Sequence, residues 1–399
     1  MKNIRLFFGV IPILLIILFT SCDENYTKTP FKDEVLDGPL DGLSHEESAR
    51  FLSGDAAFNQ VFTRETGLGP TFVSTSCISC HAGNGKGHPS TALTRFGQID
   101  ERGNLFLNLG GPILQNRALP GFLPEQIPFG ATSARFIPSV NTGLGFLESV
   151  TDADILAMAD PNDSDGDGIS GVPNWINIPD FVIPSSSAIS QDGKYIGRFG
   201  KKAATRSLLQ QTVNALNEDI GITSIFNPVD THTHLEIDPE IATSTVNDIV
   251  SYLQTLKAPI QRNQNDASVI KGAAIFEQIK CTGCHKPELR TGYSPISALS
   301  NKTFAPYTDL LLHDMGSGLD DGYTEGSAKT QEWRTPPLWG IGLSESSQGG
   351  SFYLLHDGRA RSIEEAILKH GGEAKSRKVS YINLSQPDKE ALLTFIKSL

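Results

Sequence analysis

The chain has 399 residues, a formal net charge of −12 and a pI near 5.2, and this length is sufficient for two or three domains with sizeable cores. The acidic balance argues against nucleic acid as a partner, because nucleic-acid-binding proteins present basic surfaces. It does allow electrostatic steering towards a basic protein partner.

The N-terminus has the pattern of a targeting segment. Lys2 and Arg5 precede an apolar run over residues 6–19, which is too short to span a bilayer comfortably. Small residues then precede Cys22, and the whole resembles a bacterial lipoprotein signal over residues 1–21 with lipid attached to Cys22. An ordinary cleaved signal or an uncleaved anchor is the alternative. Residues 22–45 are polar and read as a tether, so we expect an exported membrane lipoprotein in the periplasm, at the outer membrane or on the cell surface.

The four cysteines after Cys22 form two copies of one pattern, CISCH at 77–81 and CTGCH at 281–285. Cys-x-x-Cys-His is the attachment sequence of c-type haem. On a helical turn the two thiols and the imidazole share a face, so the thiols can form thioethers while the histidine binds iron. A redox dithiol or half of a zinc site is the alternative. Two copies in an exported chain favour two covalently bound haem c groups, with ligands Cys77, Cys80, His81, Cys281, Cys284 and His285.

The two motifs have similar surroundings, which indicates an internal repeat. An amphipathic helix with Gly272 and Phe276 leads into the second motif, and residues 54–70 play the same part before the first at a longer distance. Each copy closes with a helical pattern, at 246–259 and at 388–399. We therefore predict a mainly α fold with long loops and few strands. It would comprise an N-terminal cytochrome c-like haem domain over 46–262 with long insertions, and a C-terminal one over 263–399.

The stretch RSIEEAILKHGG at 361–372 predicts a short helix. Ser362 and Glu365 form a capping box, and Gly371-Gly372 provides the stop. One face carries Ile363, Ala366, Ile367 and His370. Taken alone, a histidine on an apolar face is more often a core residue bonded to a carbonyl than a metal ligand.

Five further segments extend the comparison beyond the haem motifs. They are LGFLESVTDADILAMADPNDSDGDGISGVPN, GRFGKKAATRSLLQQ, LLLHDMGSGLDDG, EWRTPPLWGIG and LLHDGRARSIEEAILKHGGEA. With them the chain resembles bacterial di-haem cytochrome c peroxidases and their MauG-like relatives, and most of all the di-haem oxidoreductases sometimes labelled thiol oxidoreductases.

The resemblance implies a role for His370. In the peroxidases a methionine fourteen residues after a His-Asp-Gly sequence is the sixth ligand of the second haem. Here His370 stands fourteen residues after His356, which implies a second haem ligated by His285 and His370. Met315 is the competing ligand. A bis-histidine haem would have a lower potential than one with a methionine ligand.

The sixth ligand of the first haem is left open by the sequence. The position of the peroxidases' displaceable distal histidine, sixteen residues after the motif, is Gly97 here. His88, or His232 and His234, could serve instead, or the iron could remain open to peroxide. The resemblance points to Glu148 and Arg135 as the catalytic proton-transfer and polar groups, with a structural ion pair or a contact to the haem propionates as the alternative for both.

An acidic loop follows with the spacing of an EF-type calcium site. Asp163, Asp165 and Asp167 fall at loop positions 1, 3 and 5, Gly168 at 6, and Ile169 offers its carbonyl at 7. Asn174 replaces the usual bidentate glutamate, so we expect weak Ca²⁺ binding; a solvated acidic turn is the alternative.

Together these patterns predict a lipid-anchored di-haem oxidoreductase of the peroxidase type. The second haem would accept electrons from an external donor protein of the small cytochrome or cupredoxin type and pass them to the first, where hydrogen peroxide or a similar small oxidant reacts. The alternative is a di-haem electron-transfer cytochrome without substrate turnover, linked to extracellular metal reduction or iron uptake.

Overall fold

The computed structural model describes residues 34–100, 103–104, 106, 109 and 111–399. The expected lipoprotein signal, Cys22 and the rest of the first half of the tether, to residue 33, lie outside these residues. Residues Leu36–Leu399 form one compact unit, and its division into two haem domains stays a prediction. Within the described ranges, none of the helices has the length and apolar character needed to cross a membrane.

Helices form most of the regular structure, and the described residues contain ten α-helices. These are α1 His45–Phe58, α2 Leu144–Glu148, α3 Asp152–Ala157, α4 Leu208–Asp219, α5 Thr243–Thr255, α6 Ala267–Gln278, α7 Ser344–Ser347, α8 Ile363–Leu368, α9 Lys375–Ile382 and α10 Gln386–Ser398. Single 3₁₀ turns lie at Arg64–Thr66, Ala82–Asn84, Pro89–Thr91, Cys281–Gly283, Ser297–Leu299, Ile341–Leu343 and Gly372–Ala374.

The strands are short and lie in the long loops. They are β1 Thr71–Phe72, β2 Leu93–Phe96, β3 Gln98–Asp100, β4 Gly103–Asn104, β5 Arg117–Ala118, β6 Ser133–Phe136, β7 Trp175–Ile176, β8 Ser190–Gln191, β9 Lys194–Ile196, β10 Leu289–Arg290, β11 Thr303–Phe304, β12 Leu312–Asp314 and β13 Glu332–Arg334. The antiparallel pairs are β1–β5, β2–β6, β3–β4, β10–β11 and β12–β13, with one three-stranded sheet in the order β7–β9–β8. Helices with few short strands confirm the mainly α prediction.

Two equivalent helix pairs surround the haem motifs, α1 against α5 and α6 against α10. Each pair meets at a glycine. A Cβ on Gly54 would collide with the backbone of Asp248 in α5, and one on Gly272 would collide with the backbone of Ala391 in α10. Only residues without a side chain allow backbones to approach so closely. The repeated contact is the structural counterpart of the internal sequence repeat.

The repeat extends to the residue one helical turn after each glycine. Phe58 lies against His81 with ring centroids 6.2 Å apart and an interplanar angle of 57°. Phe276 lies against His285 at 6.3 Å and 58°. Each phenylalanine also packs on the closing helix, against Tyr252 and Phe395 at 5.4 Å each. Helices α1 and α6, which precede the two motifs, therefore each place a phenylalanine against the ring of the motif histidine, which we call the proximal histidine.

Helix α8 begins where the sequence predicts. The Ser362 hydroxyl accepts a hydrogen bond from the Glu365 amide at 3.0 Å. The second half of the expected capping box does not form on Ser362, because the Glu365 carboxylate accepts instead from the Arg361 amide at 2.7 Å. The helix ends at Leu368, so His370 lies just after its last turn.

Candidate haem-binding site

One cavity of about 680 Å³ reaches both haem motifs. Its volume falls within the range of roughly 300–1,000 Å³ that is typical of ligand and cofactor sites. The walls include Cys77, Cys80, His81, Cys281, Cys284 and His285. The fold thus brings the two sequence-distant motifs to a common internal space.

The two proximal histidines are held in the same way. His81 donates from Nδ1 to the carbonyl of Ser139, and His285 donates from Nδ1 to the carbonyl of Tyr307, both at 3.0 Å. A carbonyl can only accept, so this contact fixes the tautomer and leaves Nε2 with its lone pair. Burial lowers the pKa of each imidazole to about 4. Both rings are therefore neutral at physiological pH, as a metal ligand must be.

The motif thiols fit covalent attachment better than redox chemistry. None of the four forms a disulfide. Burial raises the pKa of Cys77 and of Cys281 to about 12. A reactive dithiol needs a lowered pKa, since the thiolate is the nucleophile, whereas a thioether carries no charge and suits apolar surroundings. The residues present accordingly fit two haem c groups.

His370, predicted as the sixth ligand of the second haem, lies in the wall of the cavity. All four residues of the predicted helix face, Ile363, Ala366, Ile367 and His370, line the cavity. His370 donates from Nδ1 to the Ala366 carbonyl at 2.7 Å, which leaves Nε2 available. Burial is the largest cause that lowers the pKa of His285, and His370 acts in the same direction.

Met315 also lines the cavity but packs in a different cluster. Its side chain lies against the group formed by Ala134, Phe136, Leu319, Tyr323 and Trp333. Ala366 and Ile367, by contrast, pack with Phe276 and Phe395 around the second motif. His370 as the ligand of the second haem, with Met315 as its competitor, stays a prediction.

The alternative histidine ligands of the first haem lie elsewhere. His88 bonds through Nδ1 to the Ser90 hydroxyl at 2.8 Å and places its ring edge against Tyr353. His232 and His234 are exposed, and the His232 ring contacts Phe122. None of these three histidines lines the cavity.

Glu148 does not occupy the catalytic position expected from the resemblance. It does not line the cavity. Its Oε1 accepts from the Leu208 amide and its Oε2 from the Gln254 side chain, both at 2.7 Å. The carboxylate thereby ties α2 to the start of α4 and to α5. This is the structural alternative, and it corrects the catalytic assignment.

Arg135 is also displaced from the expected role, for a reason of strand register. On β6 its side chain is exposed and donates to the Pro89 carbonyl at 2.8 Å. Side chains alternate between the two faces of a strand. Arg135 pairs with Thr94 on β2, whereas Arg95, one residue further, pairs with buried Ala134. Of these two arginines, Arg95 is therefore the one that lines the cavity.

Arg95 belongs to a charged group that the sequence did not single out. Its guanidinium pairs with Glu325 at 2.6 Å and lies 3.5 Å from the Tyr323 hydroxyl. Burial opposes the charge, but Glu325 and the other acidic groups around it raise the pKa of Arg95 above its ordinary value. Arg95, Tyr323 and Glu325 all line the cavity.

Two further carboxyl groups complete this part of the wall. Glu218 and Asp219, at the end of α4, line the cavity, and the Asp219 carbonyl accepts from the amides of Val73 and Ser74 just before the first motif. Burial raises the pKa of each carboxyl to about 7, with Arg95 acting in the opposite direction. These groups can exchange protons near neutral pH.

Comparison with known proteins decides the family. The model of the family described as "Di-haem oxidoreductase, putative peroxidase" matches residues 31–108 and 131–399. The chain belongs to this family. None of the curated proteins compared with it matches.

Two solved structures resemble this di-haem oxidoreductase only distantly. Hydrazine synthase from Kuenenia stuttgartiensis shares 14% identity and a TM-score of 0.39, with 100% of both chains covered. A MauG-like protein associated with microbial copper homeostasis shares 15% identity and a TM-score of 0.33, over 65% of this chain and 89% of that one. At these scores neither likeness bears on the fold or the chemistry.

The acidic loop of this oxidoreductase gathers a somewhat different set of carboxylates from the expected one. Asp160, Asp163 and Asp165 bring one oxygen each to within 4.8 Å of the others, and Asp163 accepts from the Gly168 amide at 2.9 Å. Asp167 instead pairs with Arg377 at 2.9 Å. Asn174 is buried and bonds to the carbonyls of Lys202 and Glu325, so it is not available to the loop.

The end of the acidic loop contacts the second motif. The Ile169 side chain lines the cavity and touches Gly283 between the two cysteines. Ser170 donates to the Glu373 carboxylate, which also contacts His313 at 2.8 Å. His313 bonds in turn to Asp309 at 2.8 Å. Although burial opposes its charge, these hydrogen bonds raise the pKa of His313 well above its ordinary value.

Proposed function

We propose that the protein is an exported, lipid-anchored di-haem c-type oxidoreductase with peroxidase-like activity. Cys77 and Cys80 would hold one haem and Cys281 and Cys284 the other, with one proximal histidine for each. Bound haem supplies one-electron chemistry and, where a coordination position on iron is open, reactivity towards peroxide. The cavity that joins both motifs supports this arrangement.

The observation that carries the proposal is the acid–base group beside the first motif. Cleaving a peroxide O–O bond requires a base to accept a proton from one oxygen and an acid to return one to the leaving oxygen. Burial raises the pKa of Glu218 and of Asp219 to about 7, which suits both tasks at neutral pH. Arg95, held by Glu325, adds positive charge where negative charge develops.

The second site would serve as the electron entry. His285 and His370 both line the cavity, and an iron with both as ligands would be six-coordinate and bind no small oxidant. We propose a small cytochrome or cupredoxin as the donor. The net charge of −12 favours a donor with a basic docking surface, because opposite potentials steer association.

The acidic loop is proposed as a weak Ca²⁺ site with Asp160, Asp163 and Asp165 as carboxylate ligands. Hard cations prefer clustered carboxylate oxygens, and the Asp163–Gly168 bond gives the loop the turn of an EF-type site. Because Ile169 packs on Gly283, bound Ca²⁺ would stiffen the second motif. Asp160 would take the place expected for Asp167, which pairs with Arg377, and the Ile169 carbonyl stays a predicted ligand.

Optical and EPR spectra of the resting ferric protein test the proposed function. We expect one high-spin signal, from the haem at Cys77 and Cys80, and one low-spin signal. Hydrogen peroxide and cyanide should change the high-spin signal. Two low-spin signals that respond to neither reagent would contradict a peroxidase and favour an electron-transfer cytochrome.

A further inference from the structure

A cluster of cations lines the cavity without enough anions to balance it. Lys86, Lys201 and Arg334 all belong to the wall. Lys86 lies five residues after His81, and Lys201 follows β9 in the long insertion. Arg334 ends β13, where its amide donates to the Lys201 carbonyl and its Nε to the Gly200 carbonyl, both at 3.0 Å. The cluster therefore joins segments from both halves of the chain.

The two lysines have no anionic contact of their own. Within the described part of the chain, neither ammonium makes an ion pair or a hydrogen bond. Asp357 attracts both, but its carboxylate already pairs with Arg359 at 2.7 Å. Burial lowers the pKa of Lys86 to about 8, and burial together with Lys86 and Arg334 lowers that of Lys201 well below its ordinary value.

Such a cluster costs free energy unless an anion binds to it. Uncompensated charges in a partly dry cavity are unfavourable, and like charges repel more strongly there than in water. The fold keeps three of them together at the wall of a cofactor cavity. The ligand that matches is a group with two carboxylates.

We infer that Lys86 and Lys201, supported by Arg334, form the binding site for the two propionates of the haem attached at Cys77 and Cys80. The inference rests on the proposed haem content. The assignment to the first haem follows from the position of Lys86, which lies five residues after His81 and lines the cavity together with His81 and Lys201. Charge-assisted hydrogen bonds to carboxylates would satisfy the ammonium groups.

The experiment replaces the charges and follows the potential of each haem. The variants are Lys86→Met, Lys201→Met and the charge-conserving Lys201→Arg, with Lys302→Met as a matched control, since Lys302 is exposed and does not line the cavity. Redox titration is monitored at the EPR signal of each haem, and the second haem is identified as the one whose low-spin signal is lost in His370→Ala.

Removing a buried cation next to a haem stabilises the ferric state, so both Lys→Met variants should lower the midpoint potential of the first haem. They should also make that potential more dependent on pH, because an unpaired propionate titrates closer to neutrality. Lys201→Arg and Lys302→Met should match the wild type. Loss of covalent haem in the Lys→Met variants alone, measured by denaturing mass spectrometry, would also support the inference.

An unchanged first-haem potential in both Lys→Met variants at full haem content would overturn the inference. So would a larger shift at the second haem than at the first. These results are separate from the proposed activity. If the protein carries both haems and shows the shift in potential but does not turn over peroxide, the propionate site is supported and the peroxidase activity is contradicted.

Discussion

Replacing Glu148 with Gln tests whether the Glu148 carboxylate has a structural or a catalytic role. The Glu148 carboxylate accepts hydrogen bonds from the Leu208 amide and the Gln254 side chain, both at 2.7 Å. Glutamine offers only one acceptor oxygen, and its amide group would face a second donor. The glutamine oxygen can keep the bond from the Leu208 amide, and the bond with Gln254 is kept only if the Gln254 amide turns over and accepts instead of donating. Both bonds then join neutral groups.

The expected cost follows from these contacts. A hydrogen bond to a charged group contributes about 1.5–3 kcal/mol and one between neutral groups about 0.5–1.5 kcal/mol, so weakening both bonds in Glu148→Gln should lower the free energy of unfolding by about 2 kcal/mol. For a unit of this size we expect the melting temperature to fall by about 3 °C. Peroxide turnover per folded molecule should change little, since Glu148 does not line the cavity.

Glu218→Gln is the matched control, because it makes the same chemical change at a cavity carboxyl. No hydrogen bond to the Glu218 side chain is found among the described residues, so stability should hold while peroxide turnover falls. Both variants are measured by thermal unfolding and by peroxide reduction with a reduced cytochrome as donor. Wild-type stability with lost turnover in Glu148→Gln would refute the reasoning.

Four further outcomes follow from the geometry. His370→Ala should convert the low-spin haem to high-spin in EPR spectra, whereas Met315→Ala should not. The reverse pattern would show that Met315, and not His370, is the sixth ligand of the second haem. Burial raises the pKa of Glu218 to about 7, and only its deprotonated form can accept a proton from peroxide. The value of kcat/KM for peroxide should therefore rise with pH through about 7, and Glu218→Gln should flatten that profile. Gly272→Ala should destabilise the protein by roughly 1–3 kcal/mol through overpacking of α6 against α10, and unaltered denaturant unfolding would contradict the close contact. Chelation should remove Ca²⁺ detectable by elemental analysis, and Asp163→Asn should abolish its rebinding.

Local patterns predicted the parts of the site that lie on short stretches of chain. The helix face from Ile363 to His370 could be predicted from its period, because residues at i, i+3, i+4 and i+7 lie on the same side of a helical stretch. The opening and closing helices of the repeat followed from the same kind of signal. Gly272 and Phe276 were visible ahead of the second motif, and the structure repeats their contacts at Gly54 and Phe58.

Long-range contacts could not be read in the same way. Arg135 and Arg95 differ in role because of the β2–β6 register, and a shift of one residue exchanges the faces of a strand. Glu218 and Asp219 reach the first motif only because α4 ends beside residues 73–74. Lys86 and Lys201 are 115 positions apart in the sequence, and nothing in either segment marks them as a pair.

The central claim is that this polypeptide carries two covalent haem groups. Denaturing mass spectrometry of the protein, produced in a host competent in cytochrome maturation, tests it most directly. We expect a mass larger than that of the bare polypeptide by two haem groups, with haem peptides that contain Cys77 and Cys80 or Cys281 and Cys284. A mass equal to that of the bare polypeptide would contradict it.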